Sequence, residues 1–174
     1  MKLVRWKRYT WELAKLPPLE SPLPAQYTLR AASAEDEEAV HRVIMGAFSL
    51  DSSWSDAFKS FEGKLQGQLA KAFEHEDIPA LVISHGQRII AASALTVDRE
   101  AESNLLSGPC VLMEYRNRGL GTALLFYSLK QLQNAGLEQA RGISKENVVA
   151  GKFIYPKFGS TAVSHEPEPA LAGK

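Results

Sequence analysis

VLMEYRNRGLGTALL, residues Val111 to Leu125, is the stretch on which the rest of this chain depends for its reading. It leaves an apolar strand end at Cys110, Val111, Leu112 and Met113, passes through the charged turn Glu114-Tyr115-Arg116-Asn117-Arg118, and enters a helix at Gly119-Leu120-Gly121. A strand, a glycine-bearing turn and a helix start are the parts of an anion site. The first N–H groups of a helix have no partner inside it, and its N-terminus carries about half a positive charge. Gly119 and Gly121 lack a Cβ, so a bulky anion can approach the backbone itself. Arg116 and Arg118 add forked donors suited to phosphate oxygens.

Spacing excludes two phosphate motifs. A dinucleotide fingerprint needs a third glycine three residues after Gly121, where Leu124 stands. A nucleoside-triphosphate loop needs Gly-Lys-Ser/Thr, a run that the chain does not contain. What is left, Arg116-x-x-Gly119-x-Gly121, resembles the Q/R-x-x-G-x-G/A pyrophosphate-binding motif of the GNAT-type N-acetyltransferase superfamily. The apolar strand and Tyr115-Arg116 before the motif and the amphipathic helix after it fit the same pattern. Downstream, NVVAGKFIYPKFG (Asn147 to Gly159) resembles the family's second signature, an Asn on a helix followed by Tyr-x-Lys-x-Gly. The likeness covers residues 27 to 160.

The resemblance implies an α/β (α+β) fold, with a mixed, mostly antiparallel sheet splayed in the middle and helices on both faces. It implies acetyl-coenzyme A as cosubstrate, no metal, and transfer of the acetyl group to a primary amine of a small molecule or of a peptide or protein N-terminus. By the same resemblance Val111, Leu112 and Met113 lie along the splayed strand. Arg116, Asn117, Arg118, Gly119, Leu120, Gly121, Thr122 and Asn147 complete the coenzyme site, and Tyr155 matches the tyrosine that protonates the departing thiolate. Three features depart from the family pattern. Asn147 stands eight residues before Tyr155 instead of seven, so Asn147 is one position off or the helix carries a bulge. Pro156 biases Tyr155 away from helical angles. The strand from Asn104 to Val111 has no carboxylate to serve as base, which leaves Glu102 or Asp98 acting through water. That missing base favours a rival reading, a coenzyme A-binding sensor or partner-binding module without catalysis.

At 174 residues with 45% hydrophobic content, the chain is long enough for one domain with a full core. Twenty Lys and Arg balance twenty Asp and Glu, so the broad basic field of a nucleic-acid binder is missing and nucleic acid is not the expected partner. One Cys excludes an internal disulfide, and no apolar run reaches membrane-spanning length; both fit a cytoplasmic protein. Cys110 lies where the acetyl group would arrive, yet no His or Asn has a readable relation to it, and it reads as a small buried thiol.

The chain divides into an N-terminal arm (1–24), the acetyltransferase-like domain (25–165) and a frayed tail (166–174). In the arm, Lys2, Arg5, Lys7, Arg8 and Lys15 interleave with Trp6, Tyr9 and Trp11 before a proline-rich stretch. Its aromatics read as packing on the domain or on a second subunit in a homodimer, with a nucleic-acid arm as the rival. A strand follows at Tyr27 to Ala31, then a helix capped by Ser33 whose buried stripe is Val40, Val43, Ile44, Ala47 and Phe48, with His41 on its rim. A second helical pattern runs from Asp51 to Asp77, weakened at Gly63 and Gly67, where a bend is expected. A hairpin spans Ala80 to Val97, and a strand from Asn104 to Leu112 is broken by Gly108-Pro109. The helix from Gly119 to Ala135 leads to a strand at 137–144 expected to lie parallel to the one before it. A last helix from Asn147 to Tyr155 and a strand at 160–164 complete the domain.

Overall fold

The computed structural model describes residues 4–166. Four strands form one antiparallel sheet in the order β2-β3-β4-β5: β2 Tyr27–Ala31, β3 Ala80–His85, β4 Arg88–Ala94 and β5 Cys110–Val111. The remaining three form a second antiparallel sheet in the order β6-β1-β7: β1 Trp6–Glu12, β6 Gln139–Lys145 and β7 Thr161–His165. Three α-helices complete the frame: α1 Glu37–Ser49, α2 Phe58–Ala72 and α3 Leu120–Asn134. The architecture is the splayed α/β sheet expected, with helices on both faces.

Successive residues of β3 and β4 turn to opposite faces, except at the bulge in β4 where Ile90 and Ala91 share one, and each face meets a different helical layer. Ala80, Val82, Ala92 and Ala94 pack with the α1 and α2 stripes, including Val40, Ile44, Phe48, Leu65 and Leu69. Leu81, Ile83, Ile90 and Ala91 pack with Leu120 and Leu124 of α3. Burial on both faces explains why this hairpin reads as a nearly continuous apolar run. Further along, Leu125, Leu129 and Leu132 of α3 cover Tyr9, Trp11 and Ala140 of the other sheet, so one helix spans both.

Segment 104–106 stitches the sheets together at one end. Asn104 N and Leu105 N donate to Arg141 O at 2.8 and 3.2 Å, while Leu106 N donates to Ala94 O at 2.9 Å. Beyond it the two sheets part: β5 pairs only with β4, and β6 takes β1 as its neighbour. The strand expected over 104–112 is therefore reduced to a bridge at Leu105 and the pair Cys110–Val111. Gly108, at φ 66°, and Pro109 make the break between them. The strand after α3 is not paired with the one before it, because the α3 crossover delivers it into the other sheet.

The N-terminal segment is not an arm. Trp6–Glu12 is the middle strand of its sheet, Trp11 is fully buried and Leu13 nearly so, at 1% exposure. Strand alternation puts Tyr9 and Trp11 on the α3 face and Trp6 on the other, so the aromatics serve both faces of one strand. Trp11 Nε1 donates to Lys157 O and Tyr9 Oη to Gly151 O, each at 2.9 Å. Residues 1–3 of the expected arm and residues 167–174 of the expected tail lie outside the described residues. Helix α2 runs through Gly63 and Gly67 without a break, since its Leu65 and Leu69 are anchored in the core. No helix among the described residues is long and apolar enough to cross a membrane.

Candidate active site

The backbone of the turn faces open space, while its arginines are bound within the fold. A 3₁₀ turn at Met113–Tyr115 follows β5, and Asn117 and Gly119 then take left-handed angles, φ 64° and 78°, before α3 begins. The first bond of the helix runs from Ala123 N to Gly119 O, 3.1 Å, which leaves the N–H groups of Leu120, Gly121 and Thr122 ahead of it. A Cβ on Gly119 would meet nothing within 4 Å, so the space above it is open. A Cβ on Gly121 would stand 2.9 Å from Ile154 Cδ1, so that glycine also lets the next element close on the turn. Exposed N–H groups at a helix start, beside a glycine facing open space, suit a diphosphate.

Both arginines are engaged elsewhere. Arg116 Nε donates to Val111 O at 3.1 Å, Nη1 to Asp51 Oδ2 at 2.8 Å and Nη2 to Ala47 O at 3.2 Å. Ala47 is in the last turn of α1, where carbonyls lack helical donors, so the guanidinium satisfies that helix end and braces the turn against it. Arg118 donates to Tyr27 Oη at 3.0 Å and to Glu114 O at 3.2 Å. The donors expected to meet phosphate thus hold the turn in shape.

Eight of the expected coenzyme residues line one large cleft: Val111, Met113, Arg116, Asn117, Gly119, Leu120, Gly121 and Thr122. Leu112, Arg118 and Asn147 do not line it. Leu112 N donates to Ile90 O, so the N–H of Val111 turns the opposite way, into the gap between the sheets. Asn147 is exposed, with φ 66°, in the turn that ends β6, and not on a helix. Asn tolerates this left-handed angle better than most residues, which accounts for it there without a ligand.

Tyr155 is held deep in the fold. Residues Ala150–Ile154 form a π-helical turn, and Tyr155 N donates to Ala150 O at 2.8 Å, five residues back. The wider turn takes up the extra residue between Asn147 and Tyr155. Pro156 does not turn the tyrosine away, because Tyr155 stays helical at φ −62° and ψ −31°. Its ring stands edge-on to Tyr9 and Trp11, with centroids 5.4 and 5.8 Å away. Its hydroxyl reaches the sheet opening: a Cβ on Gly108 would lie 2.0 Å from the Tyr155 oxygen. Burial first, then the neighbouring Cys110 and Tyr9, push the Tyr155 hydroxyl well above the ordinary tyrosine range, so it remains a protonated donor. Burial likewise pushes the Cys110 thiol up to about 12, against smaller lowering by Ser107 and Arg116, which removes the thiolate that an acyl-cysteine would need.

The family model described as Acetyltransferase (GNAT) family matches residues 45–159, most of the chain. The chain belongs to that family. Among solved structures, a GCN5-related N-acetyltransferase from Sphaerobacter thermophilus aligns over 94% of this chain and 50% of its own, at 19% identity and a TM-score of 0.64. A GNAT-family acetyltransferase from Colwellia psychrerythraea aligns over 93% and 54%, at 17% identity and a TM-score of 0.62. A GCN5-related N-acetyltransferase from Kribbella flavida aligns over 98% and 62%, at 20% identity and a TM-score of 0.56. These likenesses carry the fold, and the chain spans 50% to 62% of the length of these relatives. No curated protein matches it.

The cleft of this GNAT protein measures about 2150 Å³. Small-ligand pockets typically run ~300–1,000 Å³, so there is room for a large cofactor together with a second molecule. The lining of the cleft also includes Trp6, Trp54, Phe61, Asp98, Glu102 and His165. Asp98 Oδ1 accepts from Glu100 N at 2.9 Å, inside its own loop. Glu102 Oε1 lies 3.2 Å from His165 Nε2, a pairing across more than sixty residues of chain that no spacing in the sequence signals. His41 lies away from this cleft, on α1, with Nε2 3.8 Å from Glu37. Among the described residues, no group of three or more His, Cys, Asp or Glu is placed to hold a metal.

Proposed function

We propose that this protein moves an acetyl group from acetyl-coenzyme A to a primary amine of a small molecule or of a peptide N-terminus. The observation that carries the reading is the backbone turn at Asn117–Thr122, open to the same cleft into which the Tyr155 hydroxyl reaches at Gly108. Bound acetyl-coenzyme A would supply a thioester, which a neutral amine attacks readily once the two are held together. The N–H groups of Leu120, Gly121 and Thr122 would bind the diphosphate, and the N–H of Val111 offers a donor in the gap between the sheets. Tyr155 would donate a hydrogen bond to the sulfur as charge develops there. A hydroxyl above its ordinary pKa of ~10 does not give up its proton downhill to a thiolate near ~8.5, so its work is mainly stabilisation in place.

Binding and turnover test the reading separately. Gly121→Glu places a negative side chain at the helix start and against Ile154, and should abolish coenzyme A binding by calorimetry while far-UV circular dichroism stays native. Unchanged affinity would remove the anion site. Tyr155→Phe should leave acetyl-coenzyme A affinity nearly unchanged and lower amine-dependent thiol release by roughly 10²–10³-fold. One observation favours the rival of a binding module: segment 104–111 carries no carboxylate. Coenzyme binding with no thiol release for any amine tried would establish that rival.

A further inference from the structure

The geometry points to His165, positioned by Glu102, as the base that takes the proton from the acceptor amine; this inference rests on the acyl-transfer reading above. Trp6 of β1 faces Lys145 of β6 on one side and His165 of β7 on the other, so the three side chains share one face of the sheet. Strands lie ~4.8 Å apart, which puts His165 two strands, or about 10 Å, from Lys145. The Lys145 end of the row abuts the gap between the sheets, and His165, on the outer strand β7, borders the same cleft. Trp6 packs in one cluster with Leu106, Cys110 and Val148, and Lys145 O closes against Gly151 of the turn that leads to Tyr155.

Two neighbouring charges on this wall, Lys145 and Asp51, are already paired. Lys145 Nζ lies 2.6 Å from Asp56 Oδ1 and also donates to Ser53 O, and Asp51 is bound to Arg116. The His165 side chain is only 9% exposed, lines the cleft, and meets the Glu102 carboxylate through Nε2. The carboxylate assigns the ring proton to Nε2, which leaves the lone pair of Nδ1 to accept. Beside the imidazole, the rings of Trp6, Trp54 and Phe61 offer faces that attract an ammonium before it is deprotonated.

The proton balance closes. One proton passes from the ammonium to Nδ1 of His165, directly or through one water. The amine lone pair forms the N–C bond to the acetyl carbonyl carbon, the C–S bond breaks, and the electron pair leaves on sulfur. A second proton from the nitrogen reaches the sulfur beside the Tyr155 hydroxyl, and the proton on His165 leaves to solvent past Glu102, which is 48% exposed.

The test uses the full chain with phenethylamine, spermidine and a dipeptide with a free N-terminus, and follows thiol release at saturating acetyl-coenzyme A. With the amine that reacts fastest, His165→Ala should lower turnover by roughly 10²-fold or more. Added imidazole should restore part of it, a rescue that a merely structural role would not give. Glu102→Gln should lower turnover about tenfold, and coenzyme A affinity should stay within about twofold in both. If His165→Ala fails to fold, His165→Gln replaces it and should show the same loss. Turnover within about threefold of the parent in the folded variant, or a loss that imidazole does not rescue, overturns the assignment while the transfer reading stands. A parent that binds coenzyme A but releases no thiol with any of the three amines overturns both.

Discussion

The two walls of the cleft are built by opposite means. One is a contiguous run, Cys110 to Thr122, in which backbone N–H groups lie ahead of the first helical bond and the side chains of Arg116 and Arg118 brace the turn. The other gathers Trp6, Trp54, Phe61, Glu102 and His165 from stretches that span nearly the whole chain, and it works through side chains alone. A backbone site needs a helix start and residues that tolerate left-handed angles, and those requirements leave a mark in sequence. A side-chain site needs only that the fold bring its parts together. The difference makes the first wall robust to changes of side chain, and the second dependent on the strands that hold it.

The largest expected effect follows from that dependence. Deleting residues 1–12 removes β1, the shared partner of β6 and β7, together with the buried Tyr9 and Trp11. The whole stability of a domain is only ~5–15 kcal/mol, and burial of two large aromatics is a sizeable part of it. The truncated protein should show no cooperative thermal transition by circular dichroism. A truncated protein that melts as the parent does would break the comparison, because the second wall would then stand without its central strand.

A smaller effect sharpens the boundary between the walls at Gly108, where φ is 66° and a Cβ would lie 2.0 Å from the Tyr155 oxygen and 3.1 Å from its Cζ. Gly108→Ala should destabilise by about 2–4 kcal/mol, combining the left-handed angle with overpacking against the hydroxyl. In a Tyr155→Phe background the clashing oxygen is gone, and the penalty should fall to about 1–2 kcal/mol. Chemical denaturation of the four proteins gives the coupling. Additive losses would show that the hydroxyl does not rest on Gly108.

What was legible in the sequence follows the same division. Gly119, Gly121 and the helix stripe marked the turn and α3 because local conformation demanded them. The paired hairpin showed itself through β3 and β4 residues buried on both faces. Tyr155 was legible as a residue type, but its aim depended on a π turn that no single position announces. The bonds of Arg116 are not legible in the sequence, because a guanidinium suits phosphate oxygens as well as the Asp51 carboxylate and an α1 carbonyl, and only the fold brings those two to it. The aromatics of Trp6–Glu12 read as packing on the domain, where Tyr9 and Trp11 do pack, but the segment's place as a middle strand is hidden because charges interleaved with aromatics also describe an arm laid on the surface. His165 was missed since its partner Glu102 lies in another loop and its strand carries no pattern of its own.

The smallest effect tests the claim that the first wall acts through backbone. Asp51 joins the walls: its carboxylate accepts from Arg116 and from Ser53 N and Oγ, and its side chain is 17% exposed. Burial alone would raise its pKa, but the bonds from the Ser53 hydroxyl, Arg116 and the Ser53 N–H outweigh it and hold the carboxyl below its ordinary value. A folded pKa below the unfolded one adds stability that is present above about pH 4 and is lost as pH falls through the folded value. Asp51→Asn should therefore be about 1–2 kcal/mol less stable than the parent at pH 7, and the gap should narrow towards pH 3 as the parent carboxylate takes up its proton. Urea midpoints at the two pH values measure it, and a gap that does not change with pH would show that the charge on Asp51 contributes nothing. Coenzyme A affinity should stay within a few-fold of the parent at pH 7, because Arg116 keeps its bonds to Val111 O and Ala47 O and the turn that presents the N–H groups of Leu120 to Thr122 stays braced. A loss of affinity as large as that expected for Gly121→Glu would mean that the brace is part of the anion site, and the contrast between a backbone wall and a side-chain wall would fail.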